Sequence, residues 1–308
     1  MPGRVGLRCG AFEWSPTPQR PLLMGIVNAS PDSFSDGGEL RGLEAQVTQA
    51  LRLVAEGADI VDVGGESGVT DTAATDAREE AARVVPLVRR LAAHGVCVSV
   101  DTWKPEVAEA ALDAGASMIN DVSGLRDRRM VDLCAGHGAG LVIMHTRTAP
   151  KTKVVLGYED VVGDVAGFMA ERLDQAAARG LPAANVVLDP GPDFAKTPGQ
   201  TVEVLRALPR LAALGRPLLL ALSRKDFVGA LTERPPRDRL AGTLAAIGEG
   251  LDGGGSILRV HDVAAVQDFL RVRAALRGQI DVPADLRLAE HLRRQRVQPP
   301  GEVDAAAG

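Results

Sequence analysis

The residues that could do chemistry recur in one kind of place, the position where a short apolar run stops. Read along the chain, those positions are Asn28, Asp62 with Gly64, Asp101, Asn120, His145, Asp189, Ser223 with Arg224 and Lys225, and Arg259 with His261. Arginine offers a planar donor fork and lysine a compact charge, both suited to phosphate oxygens, so Arg224, Lys225, Arg259 and His261 imply an anionic leaving group. Asp101, Asn120 and Asp189 supply acceptors and an amide. A carboxylate can take two parallel hydrogen bonds from an amidine-like edge, so this set suits a flat heterocycle with adjacent N–H donors. Singly, each has a plainer reading: Asp101 near a helix start, Asp262 as a cap, Lys225 as a solvated helix-start residue or an aldolase-type Schiff-base lysine. His145 and His261 are far apart and lack an H-x-H or H-E-x-x-H frame, while His94, His137 and His291 read as surface residues.

The elements that must position these residues follow one rhythm. A helical segment ends in Gly and a buried apolar run begins within a few residues, as in "EGADIVDVG", "HGVCVSVD", "AGASMIND", "HGAGLVIMH", "RGLPAANVVLDPG", "LGRPLLLALS" and "GGGSILRVHD". With "PLLMGIVN" at the start this gives eight strands. Between them lie helical patterns. Leu43, Val47, Leu51 and Val54 share one expected face, and Val161, Val165, Phe168 and Met169 another, with Arg172 at its edge; Pro105 opens a helix at N1, and Pro86 is expected to kink its own. Eight β and α units over residues 21–278 match a (β/α)8 TIM barrel, an α/β single domain of about 250 residues. The rival, a doubly wound sheet, usually shows G-x-G-x-x-G after its first strand, where this chain has "NASPDSFSDGG". Residues 1–20 read as an N-terminal extension and 279–308 as a C-terminal tail, partly disordered. In a barrel the polar strand ends become one rim. The long polar loop after Asn28 is expected to close over a ligand.

Composition removes several classes of function. The chain has 308 residues, 45% hydrophobic and 24% charged, with net charge -5 and no basic run interleaved with aromatics, so nucleic acid is not an expected partner. Cys9, Cys97 and Cys134 are odd in number and lack C-x-x-C spacing, which favours buried reduced thiols over disulfides or a structural zinc. Neither a signal-like segment nor a membrane-length apolar run occurs, so a cytoplasmic location is expected.

The motifs "MGIVNASPDSFSDGG", "GADIVDVGGES", "VSVDTWKPEVAEAALDAGASMINDVSG", "MH", "DPGPDFAKT", "LSRKDFVG", "RLAGTLAA" and "ILRVHDV" resemble, in order and spacing, the dihydropteroate synthases of the pterin-binding barrel group. The resemblance covers residues 21–278. It implies a transferase of folate biosynthesis, in which p-aminobenzoate displaces pyrophosphate from 6-hydroxymethyl-7,8-dihydropterin pyrophosphate to give 7,8-dihydropteroate. It implies Asn28, Lys225, Arg259 and His261 as catalytic residues and Asp101, Asn120, Met144, Asp189 and Lys225 around the pterin. Phe34, Ser67, Phe194 and Asp226 would border the aminobenzoate. Mg2+ would be the cofactor, with Asn28 its protein ligand, and a homodimer the assembly.

Three departures stand out. Gly68-Val69-Thr70-Asp71 replaces the family's usual Thr-Arg-Pro-Gly, Asp193 stands where Gly precedes Phe194, and Asp226 replaces Ser or Arg after Lys225. Extra negative charge beside a benzoate is expected to weaken its binding. A second reading is therefore a pterin-binding paralogue with another acceptor amine or a regulatory role. A third, a pterin-dependent methyltransferase, is opposed by the retained "SRK" and "RVH", because a methyl carrier expels no pyrophosphate.

Overall fold

The structure, a computed structural model, describes residues 6–29, 39–66, 73–152 and 154–293. A hairpin of β1 (Leu7–Cys9) and β2 (Phe12–Trp14) comes first. Eight parallel strands follow: β3 (Leu22–Asn28), β4 (Ile60–Gly64), β5 (Cys97–Asp101), β6 (Met118–Asp121), β7 (Gly140–Met144), β8 (Val186–Asp189), β9 (Leu219–Leu220) and β10 (Ile257–Val260). Their order is β8-β7-β6-β5-β4-β3-β10-β9, and the ends meet. A parallel bridge joins Leu188 of β8 to Leu218, beside β9, with Leu188 N donating to Pro217 O at 3.0 Å. The sheet therefore closes into the expected (β/α)8 barrel and is not doubly wound.

The strands lack alternation because both faces are covered: every residue of β4, β6, β7 and β8 is buried. Registry keeps their C-terminal ends level, with Asn28 opposite Gly64, Gly64 opposite Asp101, Asp101 opposite Asn120 and Met144 opposite Asp189. Four of the polar or small strand-end positions, Asn28, Gly64, Asp101 and Asn120, are thus neighbours on one rim, with Asp189 beyond them, one strand past Met144.

The helices are α1 (Glu39–Ala55), α2 (Ala77–Ala93), α3 (Pro105–Asp113), α4 (Arg129–His137), α5 (Val161–Ala178), α6 (Pro198–Arg206), α7 (Leu208–Ala212), α8 (Asp226–Thr232), α9 (Leu240–Asp252) and α10 (Val263–Leu276). On α5 the expected face is the buried one, and Arg172 at its edge donates to Gly124 O at 2.9 Å. On α1 it is not. Val54 is 36% exposed, and the buried side runs through Gln46, Val47, Ala50 and Leu53. Leu53 packs on β3 where Gly25 leaves room: a Cβ there would lie 3.1 Å from Leu53 Cδ1. α2 runs unbroken through Pro86, which is exposed, so the amide it lacks faces solvent.

The segment before residue 21 belongs to the core. Leu7 and Cys9 are buried with Met24, Ile60, Cys97, Met118, Val142, Val187 and Ile257, most of them in the N-terminal halves of their strands. Phe12 and Trp14 pack against the same cluster, and Gly10 N donates to Gly138 O at 2.9 Å. The hairpin plugs the mouth of the barrel opposite the polar rim. All three cysteines are free and buried, and burial pushes the Cys9 thiol up to about 12.

The chain divides into two compact units, Met1–Phe269 and Leu270–Gly308. In the second, the described residues comprise the end of α10 and a largely exposed segment to residue 293.

Candidate active site

The rim is organised by a part-buried ion cluster. Asp62, fully buried on β4, accepts from Arg259 Nε at 2.6 Å and from Asn120 Nδ2 at 3.2 Å through the same oxygen. Arg259 Nη2 reaches Asp101 Oδ2 at 2.7 Å, so one guanidinium from β10 spans carboxylates on β4 and β5. Desolvation pushes the Asp101 carboxyl up to about 7, against the pull of Arg259 and with a further push from Asp62. Asp62 Oδ1 and Asn120 Oδ1 are buried acceptors with no partner among the described residues. A ligand edge carrying N–H donors supplies what they lack.

Asp189, at the end of β8, accepts Gly191 N at 2.7 Å, and burial raises its carboxyl. Lys225, the residue before α8, sends Nζ over the Phe194 ring, 4.4 Å from the centroid. Desolvation lowers its ammonium while Asp193 and Asp189 raise it. Met144 closes β7 and is buried. Asn28 ends β3 exposed, and its Oδ1 and Asp101 Cβ both approach the spot a Gly64 Cβ would occupy, at 3.9 Å each. The packing places Asn28, Asp101, Asn120, Asp189, Lys225 and Arg259 around one mouth.

The four basic residues of the last two strands do not act as one cluster. Arg224, at φ 59°, is held in an ion pair with Asp262 at 2.7 Å, and Arg259 is held by Asp62 and Asp101. His261 Nδ1 lies 2.9 Å from Ser223 Oγ; burial, then Arg224 and Arg259, lower its pKa to about 4, so the ring is neutral at pH 7. The acids expected to trouble an acceptor carboxylate have local partners. Asp193 accepts the amides of Asp226 and Phe227 at the start of α8, and Asp226 pairs with Arg239 at 3.0 Å. Phe34, Ser67 and the stretch Gly68-Val69-Thr70-Asp71 lie outside the described residues.

Residues 24–261 match the family model described as pterin binding enzyme. The dihydropteroate synthase of Mycobacterium leprae is 43% identical over 82% of this chain and 92% of its own length. That of Synechocystis is 39% identical over 86% and 92%. The chain belongs to the dihydropteroate synthase family. Among solved structures, a Xanthomonas albilineans dihydropteroate synthase with 4-aminobenzoic acid superposes with a TM-score of 0.82 at 42% identity, over 91% of this chain and all of that one. The same organism's enzyme in complex with 7,8-dihydropteroate gives 0.79 at 43% identity, over 90% and 100%.

In this family member the strand-end pattern marks the rim but not the residues that stand behind it. Asp62 was visible as a strand-end acid, yet its link to Asn120 and Arg259 joins residues 58 and 197 positions apart. Lys196 was missed although it sits in "DPGPDFAKT". It is 3% exposed and bonds to His145. Lys104 was missed too; its Nζ meets Glu66 at 2.6 Å, Thr75 O at 2.7 Å and Glu80. A lysine amid a buried segment was the available signal for Lys196, since full burial of a lysine demands partners.

No group of three or more His, Cys, Asp or Glu side chains among the described residues could hold a metal. Asn28 offers one exposed carboxamide oxygen at the rim, a hard donor. A single protein oxygen fits Mg2+, which commonly keeps its waters and binds through substrate phosphates.

Proposed function

We propose that this chain catalyses the dihydropteroate synthase reaction: p-aminobenzoate attacks the exocyclic carbon of 6-hydroxymethyl-7,8-dihydropterin pyrophosphate, the carbon–oxygen bond breaks, and pyrophosphate leaves. The observation that carries this reading is the pair of orphaned acceptors, Asp62 Oδ1 and Asn120 Oδ1, buried beside Asp189 and Lys225 at one mouth. A reduced pterin stabilises positive charge on its methylene, so the protein's work is to orient the ring, favour the departing anion and exclude water. Asp189 and Asn120 take the ring's donors, with Asp101 beside them. Lys225 and Arg259 place positive charge where negative charge develops, and neutral His261 serves as a hydrogen-bond donor. Asn28 would hold Mg2+ shared with the pyrophosphate; when bound, that ion would neutralise charge on the leaving oxygens. Phe194 would wall the aminobenzoate side, with Phe34, Ser67 and Asp226 near it.

The cytoplasm is the proposed location. Three buried reduced thiols are compatible with it, and among the described residues no helix is long and apolar enough to cross a membrane. A homodimer is the proposed assembly, supported by an apolar groove of about 680 Å³ between α6, α8 and α9, edged by Leu231, which is 69% exposed. Light scattering on the purified chain checks it.

The deciding experiment gives purified protein the dihydropterin pyrophosphate, Mg2+ and p-aminobenzoate and reads product mass. Dihydropteroate is expected. Pterin binding without product moves the conclusion to the paralogue reading, which the replaced Thr-Arg-Pro-Gly favours, and a panel of acceptor amines then identifies its partner.

A further inference from the structure

The loop between β8 and α6 is held in an unfavourable shape. Gly191, Asp193 and Ala195 all have positive φ, 63°, 67° and 55°, and only the first is glycine. Non-glycine residues there cost on the order of 1–3 kcal/mol each and persist where surroundings over-determine them. Asp193 is restrained from outside the loop: its amide donates to Thr201 Oγ1 at 3.1 Å and its carboxylate accepts the first amides of α8.

Lys196 restrains the loop from within. Its Nζ donates to Gly191 O at 2.8 Å and to Phe194 O at 3.1 Å, and lies 2.8 Å from His145 Nδ1. Nε2 faces the Asp164 carboxylate, which can only accept, so the ring's own proton sits on Nε2 and Nδ1 is left to accept from Lys196 Nζ. Nε2 then donates to Asp164 Oδ1 at 2.8 Å. Asp164 in turn is held by Arg147 through two bonds of 3.0 and 2.8 Å. The chain Arg147, Asp164, His145, Lys196 runs from α5 and the end of β7 to the carbonyl of Phe194. Phe194 is the residue whose ring lies under the Lys225 ammonium.

We propose that Lys196, fixed by His145 and Asp164, is a positioning residue that sets Phe194 against Lys225 and so governs acceptor binding. Lys196 makes no bond to Asp62, Asp101, Asn120 or Arg259 in the structure, so that part of the pterin side is held independently; Asp189 alone of the pterin-side acids is linked to it, through Gly191, whose amide Asp189 accepts and whose carbonyl Lys196 holds. The consequence for the acceptor rests on reading Phe194 as a wall of the aminobenzoate site. The consequence for the loop does not.

Lys196→Met keeps the stem and removes all three donors. It is expected to raise KM for p-aminobenzoate about tenfold or more while the dissociation constant of the dihydropterin pyrophosphate, titrated alone, stays within about threefold. Lys196→Arg should recover part of the loss. His145→Leu should reproduce the defect, and His145→Asn, which keeps an acceptor near the Nδ1 position, should rescue part of it; this pair decides the matter should Lys196→Met fail to fold. Amide hydrogen exchange in Lys196→Met is expected to quicken at residues 191–196 and not in β7. Parallel loss of pterin and acceptor affinity overturns the proposal, as do equal effects of His145→Leu and His145→Asn or unchanged exchange at 191–196. A wild-type chain that makes no dihydropteroate defeats the activity reading alone, because the exchange comparison still tests Lys196.

Discussion

At the scale of single residues, charge and burial decide what each side chain can present to a substrate. Asp189 is buried, and among the described residues its side chain accepts from Gly191 N. Asp189→Ala leaves the ring's N–H donors unpaired, so pterin binding should weaken by about 1–3 kcal/mol or more, read by calorimetry; wild-type affinity in that variant removes Asp189 from the site. The two buried histidines carry a pH prediction. Burial brings both His145 and His261 down to about 4 from an ordinary 6.5, whereas bonds to Leu133 and Asp113 raise exposed His137. The unfolded chain therefore takes up a proton before these two buried rings do, and their contribution to stability is complete above pH 6.5 and lost as pH falls toward 4. Asp101, raised from 3.8 to about 7, has the opposite sign in the same interval, so a denaturation curve mixes the two. Ring nitrogen shifts separate them: His145 and His261 should stay neutral through pH 5 while His137 titrates above 6.5. A further test concerns the replaced loop residues. Val69→Arg restores the family's arginine and should lower KM for p-aminobenzoate; an unchanged KM means the acceptor is held elsewhere.

At the scale of elements, the β8–α6 turn is where sequence and geometry bind each other most tightly. A Cβ at Gly191 would lie 2.0 Å from the His145 carbonyl oxygen, and the φ of 63° disfavours any other residue as well. Gly191→Ala should therefore destabilise the protein by about 2 kcal/mol or more, lowering Tm by roughly 4 °C, and should raise KM for the acceptor. A melting curve superposable on wild type would show that the turn relaxes freely. Elements also show where pattern reading slips. Steps of four residues advance about 40° beyond a full turn, so Leu43, Val47 and Leu51 drift around α1, and Val54 ends in solvent. The face on β3 is the one carrying Leu53, selected by the gap at Gly25, a tertiary fit that period alone does not encode. On α5, where Phe168 and Met169 anchor the stripe, the same reading succeeds.

For the molecule as a whole, the barrel was legible because one-sided polarity repeats eight times, and the rim because a strand buried on both faces must change composition where it surfaces. The opposite mouth was not. Strands of three residues, Leu7–Cys9 and Phe12–Trp14, are too short to display a period, and the Gly10-Ala11 turn between them looks like any loop. Yet an eight-stranded barrel needs both ends sealed, and the hairpin supplies one seal with Leu7 at 1% and Cys9 at 0% exposure. Full burial of one large aliphatic side chain contributes about 1.5–3 kcal/mol, and removing the hairpin also uncovers Met24, Ile60, Met118 and Val142 beneath it. Deleting residues 1–15 should accordingly lower stability by about 3–5 kcal/mol and increase binding of a hydrophobic dye. Below the melting transition, KM for the pterin substrate should be unchanged, because the seal lies at the end of the barrel away from Asp189 and Lys225. Loss of pterin affinity without loss of stability would place the hairpin's influence at the rim and contradict the division of the barrel into a sealed floor and a reactive mouth.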